Sequence, residues 1–475
     1  MPFKDLREFI ARLETEGEAQ PIDDEVDCIL EVGAILRKAA EEGLPAPFFQ
    51  RIKGYPEGYR IFGGGASRFS RMAIAMDMDP GTHPRDMMEE YLKRRQHPIK
   101  PVVVTGGPCK ENVHVGDEVD LFEFPVPLIH GGDRQRYIGT WHITISKDMQ
   151  GGWVNWGMYR HALHDRNTIG ISSDRFKHLG GMYHNRYEPQ NKPMEVAIAI
   201  GVEPASNFCA TSPVPYGVSE VDIVGGIRGE PVELVRCETV DLLVPATAEI
   251  ILEGEILPNE RMMEGPFGEY TGYCSGPVEP KPAIHIKAVT HRNNPIFTMS
   301  CLGIPVDDNS IMSFIRCAEF LNALKKRGLP ITGVSIPPEA AQILTVVAVK
   351  PLYGGIADDV ANVIWGVAGF LSPYIIVVED NVDPFDLDQV IHALVTKCHP
   401  ARGIVKVDKA PLNSLLPFLD KLEQKHRTGP RVYFDCLTPF EWAPEDKPQR
   451  ISFAESYPED VQKKALDIWR KYGRL

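Results

Sequence analysis

Two glutamates five positions apart, Glu264 and Glu269, have the spacing in this chain that is best suited to chemistry. Two glycines and a proline between them are typical of a tight turn and not of a solvated helix face. Such a turn can direct both carboxyl groups into one pocket. There, Phe267 and Tyr270 would favour the protonated form of a nearby acid, and an arginine would keep its partner ionised. A hairpin with two surface acids is the alternative interpretation.

A second segment whose side chains could take part in chemistry spans residues 155–160. Its sequence is Asn-Trp-Gly-Met-Tyr-Arg. Strand alternation over this segment predicts Asn155 on one face and Arg160 on the other. A guanidinium on a buried strand needs an anion, and it binds carboxylate or phosphate through two parallel hydrogen bonds. Arg160 is therefore either half of a structural ion pair or a clamp for an acidic substrate, and its position alone favours neither.

A third set of polar residues suits a cation or a phosphate. Lys177 and His178 come where a strand is predicted to give way to a helix, and helix N-termini attract anions. His178 could also simply be hydrogen-bonded. Glu220 lies in an apolar helical stretch, where an unpaired carboxylate would be costly. The oxygen and nitrogen donors of Asn155, His178 and Glu220 fit a hard divalent ion such as Mg²⁺ or Mn²⁺.

The composition of the whole chain limits the classes of function. With 475 residues it is long enough for two or three domains, and its net charge of −14 argues against a nucleic-acid partner. Nine dispersed cysteines without a C-x-x-C pair predict reduced thiols and a cytoplasmic location. Neither a signal peptide nor an apolar run of about 20 residues is present, so we expect no association with a membrane.

The elements that must position these residues divide the chain into three predicted domains. Residues 1–115 are predicted to form a small α/β domain, opened by two amphipathic helices. Residues 116–305 contain many short strands with Gly and Pro between them, which predicts a β-rich, barrel-like domain. Residues 306–475 alternate helix and strand, which predicts an α/β domain with an irregular tail over 411–458 and a terminal helix over 461–472. The fold class is therefore α+β or α/β, multidomain.

Four segments of the chain resemble those of the UbiD-like decarboxylases that use prenylated FMN. They occur in the order and with the spacing found in that family. They are residues 155–160, Lys177-His178, Ser219-Glu220 with the glycines after it, and residues 264–269. The resemblance covers nearly the whole chain. It implies a lyase that removes CO₂ from an aromatic or heteroaromatic acid, reversibly, with a separate flavin prenyltransferase making the cofactor. It also favours a homodimer or an assembly of dimers.

The resemblance also assigns roles to residues. It implies that Arg160, Glu264 and Glu269 form the catalytic network, in which Arg160 orients the substrate carboxylate and Glu269 transfers the proton. A divalent metal, Mn²⁺ or Mg²⁺, would be bound by Asn155, His178 and Glu220. A potassium ion would be bound around Trp156, Cys209, Ala210, Ser212 and Glu220. The residues lining the flavin would be Asn155, Trp156, Gly157, Met158, Tyr159, Arg160, Lys177, His178 and Glu220.

The chain departs from the family at Pro373, where several relatives have a lysine near the cofactor phosphate. Phosphate binding would then depend more on the metal and on Lys177. We expect a flat, largely apolar substrate pocket near Tyr270 and residues 301–305, with Asp174 either on the same strand face as His178 and bonded to substrate or exposed to solvent. The alternatives are a decarboxylase of acrylic-type acids, a flavin-independent metal-dependent acyl hydrolase or transferase, and a non-catalytic flavin-binding assembly subunit.

Overall fold

The computed structural model describes residues 3–275 and 278–473, and its first elements are a mixture of helices and strands. They are α1 Leu6–Thr15, β1 Ala19–Val26, α2 Glu31–Glu42, β2 Ala46–Ile52, β3 Arg60–Gly63, α3 Phe69–Ala75, α4 Pro84–Arg95 and β4 Val102–Val103. Asp5 caps α1 by accepting the N–H of Glu8 at 3.0 Å. The residues of α1 that recur at helical spacing are all buried, as predicted: Leu6, Phe9, Ile10 and Leu13.

The central part contains most of the strands, as the sequence predicts. Its strands are β5 Asn112–Val115, β6 Tyr137–Gly139, β7 His142–Lys147, β8 Val154–Gly157, β9 His161–Ala162, β10 Thr168–Gly170, β11 Met194–Ile200, β12 Glu233–Arg236, β13 Leu243–Pro245, β14 Ile250–Glu264, β15 Phe267–Gly268, β16 Cys274–Ser275, β17 Glu279–His291 and β18 Ile296–Met299. Three helices interrupt them: α5 His178–Met182, α6 Pro204–Ala210 and α7 Glu220–Arg228.

A seven-stranded sheet is the scaffold of this central part. Its order is β10-β17-β14-β11-β7-β8, and β5 pairs with β17 beside this path. In the described strands the sheet has two edges, so it is open where a barrel would be closed. Strand β11 is buried on both faces, because Val196, Ile198 and Ile200 enter one core while Ala197 and Ala199 enter the other.

The N-terminal sheet is completed from the central part of the chain. Strand β2 pairs in parallel with β1 and antiparallel with β3, and β18 then pairs in parallel with β3. The four strands therefore have the order β1-β2-β3-β18. Strand β18 ends just before residues 301–305, so this pairing fixes the start of the segment that we expect beside the substrate pocket.

The C-terminal part is a helix and strand layer, as predicted. Its elements are α8 Ser310–Lys326, β19 Ile331–Ser335, β20 Leu344–Val349, α9 Ile356–Ala368, β21 Tyr374–Glu379, α10 Leu387–Lys397, β22 Ile404–Pro411, α11 Lys421–His426, β23 Thr428–Cys436, α12 Phe453–Ser456 and α13 Glu459–Lys471. The sheet order is β19-β20-β21-β23-β22, with β20, β21 and β23 parallel.

Strand β23 corrects the prediction of an irregular tail over 411–458. Pro430 inside this strand reads as a strand breaker, since proline cannot donate to a ladder. The structure accommodates it at a bulge, because the pairing with β22 shifts register between Val407 and Ala410, opposite residues 429–431. Pairing with β21 begins only at Val432, so Pro430 lies outside that ladder.

The last helix, α13, carries apolar side chains that the chain itself does not cover. None of its residues is buried, and Ile468 and Trp469 are 47% and 55% exposed. Near the end of α13, Ile468 and Trp469 therefore lie largely open to solvent in the single chain. All nine cysteines are free thiols. No helix among the described residues is both long and apolar enough to cross a membrane.

Candidate functional site

The structure brings Arg160, Glu264 and Glu269 into one cluster. The guanidinium Nε donates to Glu264 Oε1 at 2.6 Å, and Nη1 donates to Glu269 Oε1. Arg160 lies beyond the end of β8, Glu264 is the last residue of β14, and Glu269 follows β15. Strand alternation therefore does not extend to Arg160, whose position depends on its two acidic partners. The turn brings both acids to the same guanidinium.

One guanidinium serves two carboxylates that are almost fully buried. Their side chains are 0% and 7% exposed, while that of Arg160 is 21% exposed. Burial lowers the pKa of Arg160, but the charges of Glu269 and Glu264 outweigh burial and raise its pKa overall. The ring of Phe267 lies 5.1 Å from the guanidinium carbon, so an aromatic face also contacts this cation. Arg160 thus contacts both acids of the expected network.

A loop that sequence reasoning missed holds the turn in place. Asp133 accepts the N–H of Gly268 at 2.8 Å through one oxygen and the N–H of His130 at 3.0 Å through the other. The N–H of Arg134 donates to the carbonyl of Pro266 at 3.1 Å. A side chain at Gly268 would collide with the His130 ring, so glycine is required there. The conformation of the turn is therefore set by residues 130–134 as well as by its own composition.

Three further polar atoms behind the cluster were also missed. Within the described chain, the buried Tyr137 hydroxyl, His164 Nε2 and Glu264 Oε2 have no hydrogen-bond partner. Burial lowers the pKa of His164, and the Glu264 charge offsets this in part. Burial raises the pKa of Tyr137, and the Glu264 charge adds to that rise. The cluster therefore has polar atoms in and beside it whose hydrogen bonds the described chain does not satisfy.

Asn155, His178 and Glu220 converge as predicted. Asn155 Nδ2 lies 2.8 Å from Glu220 Oε1 and 3.3 Å from His178 Nδ1, and those last two atoms are 3.7 Å apart. Asn155 comes from β8, His178 is the first residue of α5, and Glu220 is the first residue of α7. Rotation of the Asn155 amide would present its oxygen instead of its nitrogen. The set then offers a carboxylate, an amide oxygen and an imidazole, which fit Mn²⁺ or Mg²⁺.

The segment between these two clusters is held rigidly. The N–H of Trp156 donates to Glu220 Oε2 at 2.9 Å. The hydroxyl of Tyr159 donates to Asn155 at 3.4 Å and accepts the N–H of Leu179 at 3.3 Å. A side chain at Gly157 would collide with the Tyr159 ring. Met158 is half-buried between them. Residues 155–160 thus link the two clusters with little freedom.

The helices that carry the predicted potassium ligands Cys209, Ala210 and Glu220 pack against this segment. Helix α6 packs on α7 and on β8, which places Cys209 and Ala210 on the side of Glu220. The carbonyl of Cys209 accepts the N–H of Ser212 at 3.0 Å. In the described contacts the Ser212 hydroxyl bonds Tyr91 at 2.8 Å and the Phe208 carbonyl at 2.9 Å, and none joins it to Glu220. Trp156, in contrast, contacts Glu220 directly.

Two arginine side chains from the C-terminal part, Arg316 and Arg427, lie near Lys177, and the sequence analysis did not predict this. Burial lowers the pKa of Lys177, and the neighbouring charge of Arg316 lowers it further. Arg316 belongs to α8 and donates to Gln342. Lys177 nevertheless keeps surface open to solvent, so it lies in a recess that protein surrounds but does not fill. The two neighbouring positive side chains give this recess a local positive charge in a net acidic chain.

Asp174 is not on a strand face beside His178, which corrects that expectation. It lies in the turn before α5, where its carboxylate accepts Arg427 Nη2 at 2.7 Å. Arg427 also lies over the rings of Phe176 and Phe370. Asp174 therefore has a protein partner, and the alternative that it is exposed to solvent applies.

Pro373 lies directly before β21, as predicted, and its carbonyl accepts the N–H of Val432 at 2.9 Å.

Profiles of three domains of 3-octaprenyl-4-hydroxybenzoate carboxy-lyase match consecutive parts of the chain. The N-terminal domain matches residues 10–91, the Rift-related domain matches 86–305, and the C-terminal domain matches 309–436. Pyrrole-2-carboxylic acid decarboxylase of Pseudomonas aeruginosa is 34% identical, over 99% of this chain and 98% of the relative. Ferulic acid decarboxylase 1 of Saccharomyces cerevisiae is 30% identical, over 99% of both chains.

Solved structures show the same fold. The UbiD-class enzyme HmfF from Pelotomaculum thermopropionicum in complex with FMN has a TM-score of 0.86 and 29% identity, over 98% of this chain and 99% of the other. An evolved dimeric form of that enzyme in complex with prFMN has a TM-score of 0.81 and 27% identity, over 97% and 100%. The predicted mixed α/β multidomain fold is confirmed by this likeness. The chain belongs to the UbiD family of carboxy-lyases.

Proposed function

We propose that this carboxy-lyase reversibly decarboxylates an aromatic or heteroaromatic monoacid with prenylated FMN. The observation that carries the proposal is the pairing of two clusters on one short segment. Asn155, at its start, belongs to a metal-type donor set, and Arg160, at its end, contacts two acids. Five residues span at most about 17 Å when extended. A flavin mononucleotide has a phosphate at one end and reactive rings at the other, and the segment offers a partner for each.

The phosphate end is assigned to the first cluster. Asn155, His178 and Glu220 would bind Mn²⁺, or Mg²⁺, and this ion would neutralise the phosphate in an acidic protein. A potassium ion would bind near Trp156, Cys209, Ala210, Ser212 and Glu220. Lys177 and Arg316 would contribute direct positive charge. Arg316 would therefore add to the metal, Lys177 and backbone donors on which phosphate binding was expected to depend in the absence of a lysine at Pro373.

The reaction end is assigned to the second cluster. Prenylated FMN, when bound, supplies the electron sink that loss of CO₂ from an sp² carbon requires. Arg160 has five N–H donors, of which Nε and Nη1 engage the two glutamates, so the others can orient the substrate carboxylate. Glu264 holds Arg160 in place. Glu269 holds a proton and delivers it to the carbon that carried the carboxylate.

Charge balance explains why two acids share one arginine. When all three groups are ionised, the cluster carries one net negative charge, and a bound substrate carboxylate would add a second. Like charges in a buried site oppose one another, so substrate binding favours uptake of one proton by the cluster. The proton that Glu269 must donate is therefore taken up together with the substrate, and loss of CO₂ then leaves a carbon that needs it.

The surroundings of Glu269 favour a flat substrate. Phe267 packs against Tyr137 with ring centroids 4.3 Å apart, and Tyr270 is buried beside Glu269. Ile304 closes against Gly272, which brings residues 301–305 to the turn. The relative that acts on pyrrole-2-carboxylic acid supports a heteroaromatic substrate. The ferulic acid relative keeps an acrylic-type acid as the second candidate.

Expression with and without a flavin prenyltransferase tests the proposal. The chain produced with the transferase should release bound prenylated FMN of the correct mass, and should release CO₂ from at least one aromatic monoacid in a panel that includes pyrrole, furan, hydroxybenzoic and cinnamic acids. Activity without flavin would favour an acyl hydrolase. Bound cofactor with activity unchanged by Glu269→Gln would favour a non-catalytic assembly subunit.

We also expect that the protein forms a dimer and that helix α13 lies at the contact between the two chains.

A further inference from the structure

Two histidines and a glutamate far apart in the sequence meet at the end of β17. His114 lies on β5, Glu123 ends the short helical turn Leu121–Glu123, and His291 is the last residue of β17. The pairing of β5 with β17 sets Val289 opposite His114, so His291 is the diagonal neighbour on the same face. One donor atom from each of the three residues lies within 4.8 Å of the others. None of them belongs to the site described above.

The tautomer of His291 directs a lone pair at the carboxylate. Its Nδ1 lies 2.8 Å from the carbonyl of Arg292, and because a carbonyl only accepts, Nδ1 must carry the hydrogen. Nε2 of the neutral ring is then an acceptor. It lies 3.4 Å from Glu123 Oε1, which is also an acceptor, and within the described chain it has no hydrogen-bond partner. His291 is only 4% exposed, so this atom is aimed into the cluster from a buried position.

The second histidine faces the same carboxylate. His114 Nε2 lies 3.9 Å from Glu123 Oε2, and the two imidazole rings stack in parallel with centroids 5.5 Å apart. No lysine or arginine among the described residues forms a salt bridge with Glu123. Two imidazoles and a carboxylate thus converge without a fixed cation, although two facing acceptors need a proton or a metal ion between them.

The groups around the cluster are those that usually orient metal ligands. Metal-binding histidines typically donate their second N–H to a carbonyl, as His291 does to Arg292, and ligating carboxylates are themselves hydrogen-bonded. The hydroxyl of Tyr59 donates to Glu123 Oε1 at 2.8 Å. Phe124 packs edge-on against the His291 ring, with centroids 5.4 Å apart. Both the ring and the carboxylate are therefore already oriented.

The distances suit a small divalent ion. Zinc bonds of about 2.0–2.1 Å place tetrahedral donor atoms about 3.3 Å apart. The 3.4 Å between His291 Nε2 and Glu123 Oε1 meets this requirement. His114 Nε2 lies 3.9 Å from the other oxygen, Oε2, and its ring must tilt out of the parallel stack to aim its lone pair at the same ion. The side chain of His114 is 33% exposed, so it can move, and solvent can supply a fourth ligand. Two imidazoles favour zinc-like ions over Mg²⁺ or Ca²⁺.

We propose that His114, Glu123 and His291 form a second metal site, which binds one Zn²⁺-class ion and clamps β5 and the 121–123 turn to the end of β17. Metal binding should stabilise this junction, because an ion that binds only the folded chain adds its binding free energy to folding. The site is independent of the flavin and of the function proposed above.

Equilibrium dialysis of the cofactor-loaded protein against Zn²⁺, with metal analysis, tests the site. His114→Ala should bind one zinc ion fewer per chain than the unaltered protein, and Tyr59→Phe should weaken the same site about 10- to 100-fold. His426→Ala, which alters an exposed histidine on α11, is the matched control and should bind as the unaltered protein does. Flavin absorbance should be equal in all four proteins, which separates this result from loss of the flavin site.

Crystals of the whole protein grown with Zn²⁺ give a second measurement that does not depend on the variants folding. The anomalous difference map at the zinc edge should show a peak between His114, Glu123 and His291. Equal zinc binding by His114→Ala and the unaltered protein, or an anomalous map without that peak, would overturn the proposal. In that event the contact between His291 and Glu123 is an ion pair joined by a proton.

Discussion

Two buried clusters of arginine and acid in this chain have opposite balances of charge. In one, Glu249 accepts Nε and Nη2 of Arg7 at 2.8 Å each and Nη1 of Arg292 at 3.2 Å, and Arg292 also bonds Asp5 at 2.8 Å. In the other, the single guanidinium of Arg160 donates to both Glu264 and Glu269. Both clusters join distant parts of the chain, and both contain a carboxylate side chain that is 0% exposed.

The difference lies in how completely the acids are satisfied. Glu249 accepts the N–H of Ile296 at 3.1 Å as well, so arginine and backbone donors surround both of its oxygens. Glu264 uses one oxygen for Arg160, and its other oxygen has no hydrogen-bond partner in the described chain. A cluster with two arginines and two acids is neutral and structural. A cluster with one arginine and two acids is short of a positive charge, which suits a group that must take up and release a proton.

Replacing the proposed proton donor is expected to have the largest effect. Glu269→Gln keeps the size of the side chain and removes its acidity, so kcat should fall by about 10²–10⁴, the usual contribution of a general acid. Single-turnover release of CO₂ by protein with equal cofactor content measures the effect. A fall in kcat of less than about threefold would show that Glu269 is not the proton donor, and the two clusters would then not differ in function.

The reciprocal change in the neutral cluster should affect stability and spare activity. Glu249→Gln leaves Arg7 and Arg292 without their shared charge, and breaking a buried ion pair costs about 3–5 kcal/mol. Equilibrium unfolding in urea should show this loss as a lower free energy of unfolding. The folded fraction at low temperature should keep its kcat. A catalytic defect equal to that of Glu269→Gln would contradict the division of roles.

Arg160→Lys tests geometry while keeping the charge. A lysine cannot engage two carboxylates and a substrate in the fixed fork of a guanidinium. Loss of one charged hydrogen bond costs about 1.5–3 kcal/mol, so kcat/KM should fall about 10- to 100-fold. Steady-state kinetics at saturating cofactor measure the change. Unaltered kcat/KM would mean that Arg160 does not orient the substrate.

The smallest effect is expected at the exposed pair of Asp174 and Arg427. Their side chains are 49% and 27% exposed, and surface pairs of this kind contribute about 0–1 kcal/mol. Asp174→Asn should therefore leave the order of preferred acids in a substrate panel unchanged and shift the free energy of unfolding by less than about 1 kcal/mol. A changed substrate preference would place Asp174 back among the residues that contact substrate.

Residues that carry their own chemistry could be predicted from the sequence. Arg160 needed an anion, and the structure gives it two carboxylates, whereas the described partners of Glu220 are the Asn155 amide, the Trp156 N–H and the His178 ring, so the cation expected for Glu220 stays a prediction. The amphipathic pattern of α1 predicted its buried face, because helical periodicity is local. The order of the four segments then made the family resemblance specific.

Contacts between remote segments were not predictable in the same way. Asp133 fixes the turn at Gly268, and Arg316 approaches Lys177 from another part of the chain, and no local pattern links these pairs. Strand β23 was missed because Pro430 breaks the local strand pattern, although a bulge in its neighbour accommodates it. Local rules describe elements, whereas these features depend on how elements meet.

Hydrogen exchange into the reaction product tests the central claim most directly. The decarboxylated product is incubated in D₂O with cofactor-loaded protein, and mass spectrometry measures deuterium at the carbon that had carried the carboxylate. The unaltered protein and Glu249→Gln should introduce one deuterium at similar rates, and Glu269→Gln should introduce none above background. Exchange by Glu269→Gln at the rate of the unaltered protein would show that the cluster around Arg160 does not move the proton.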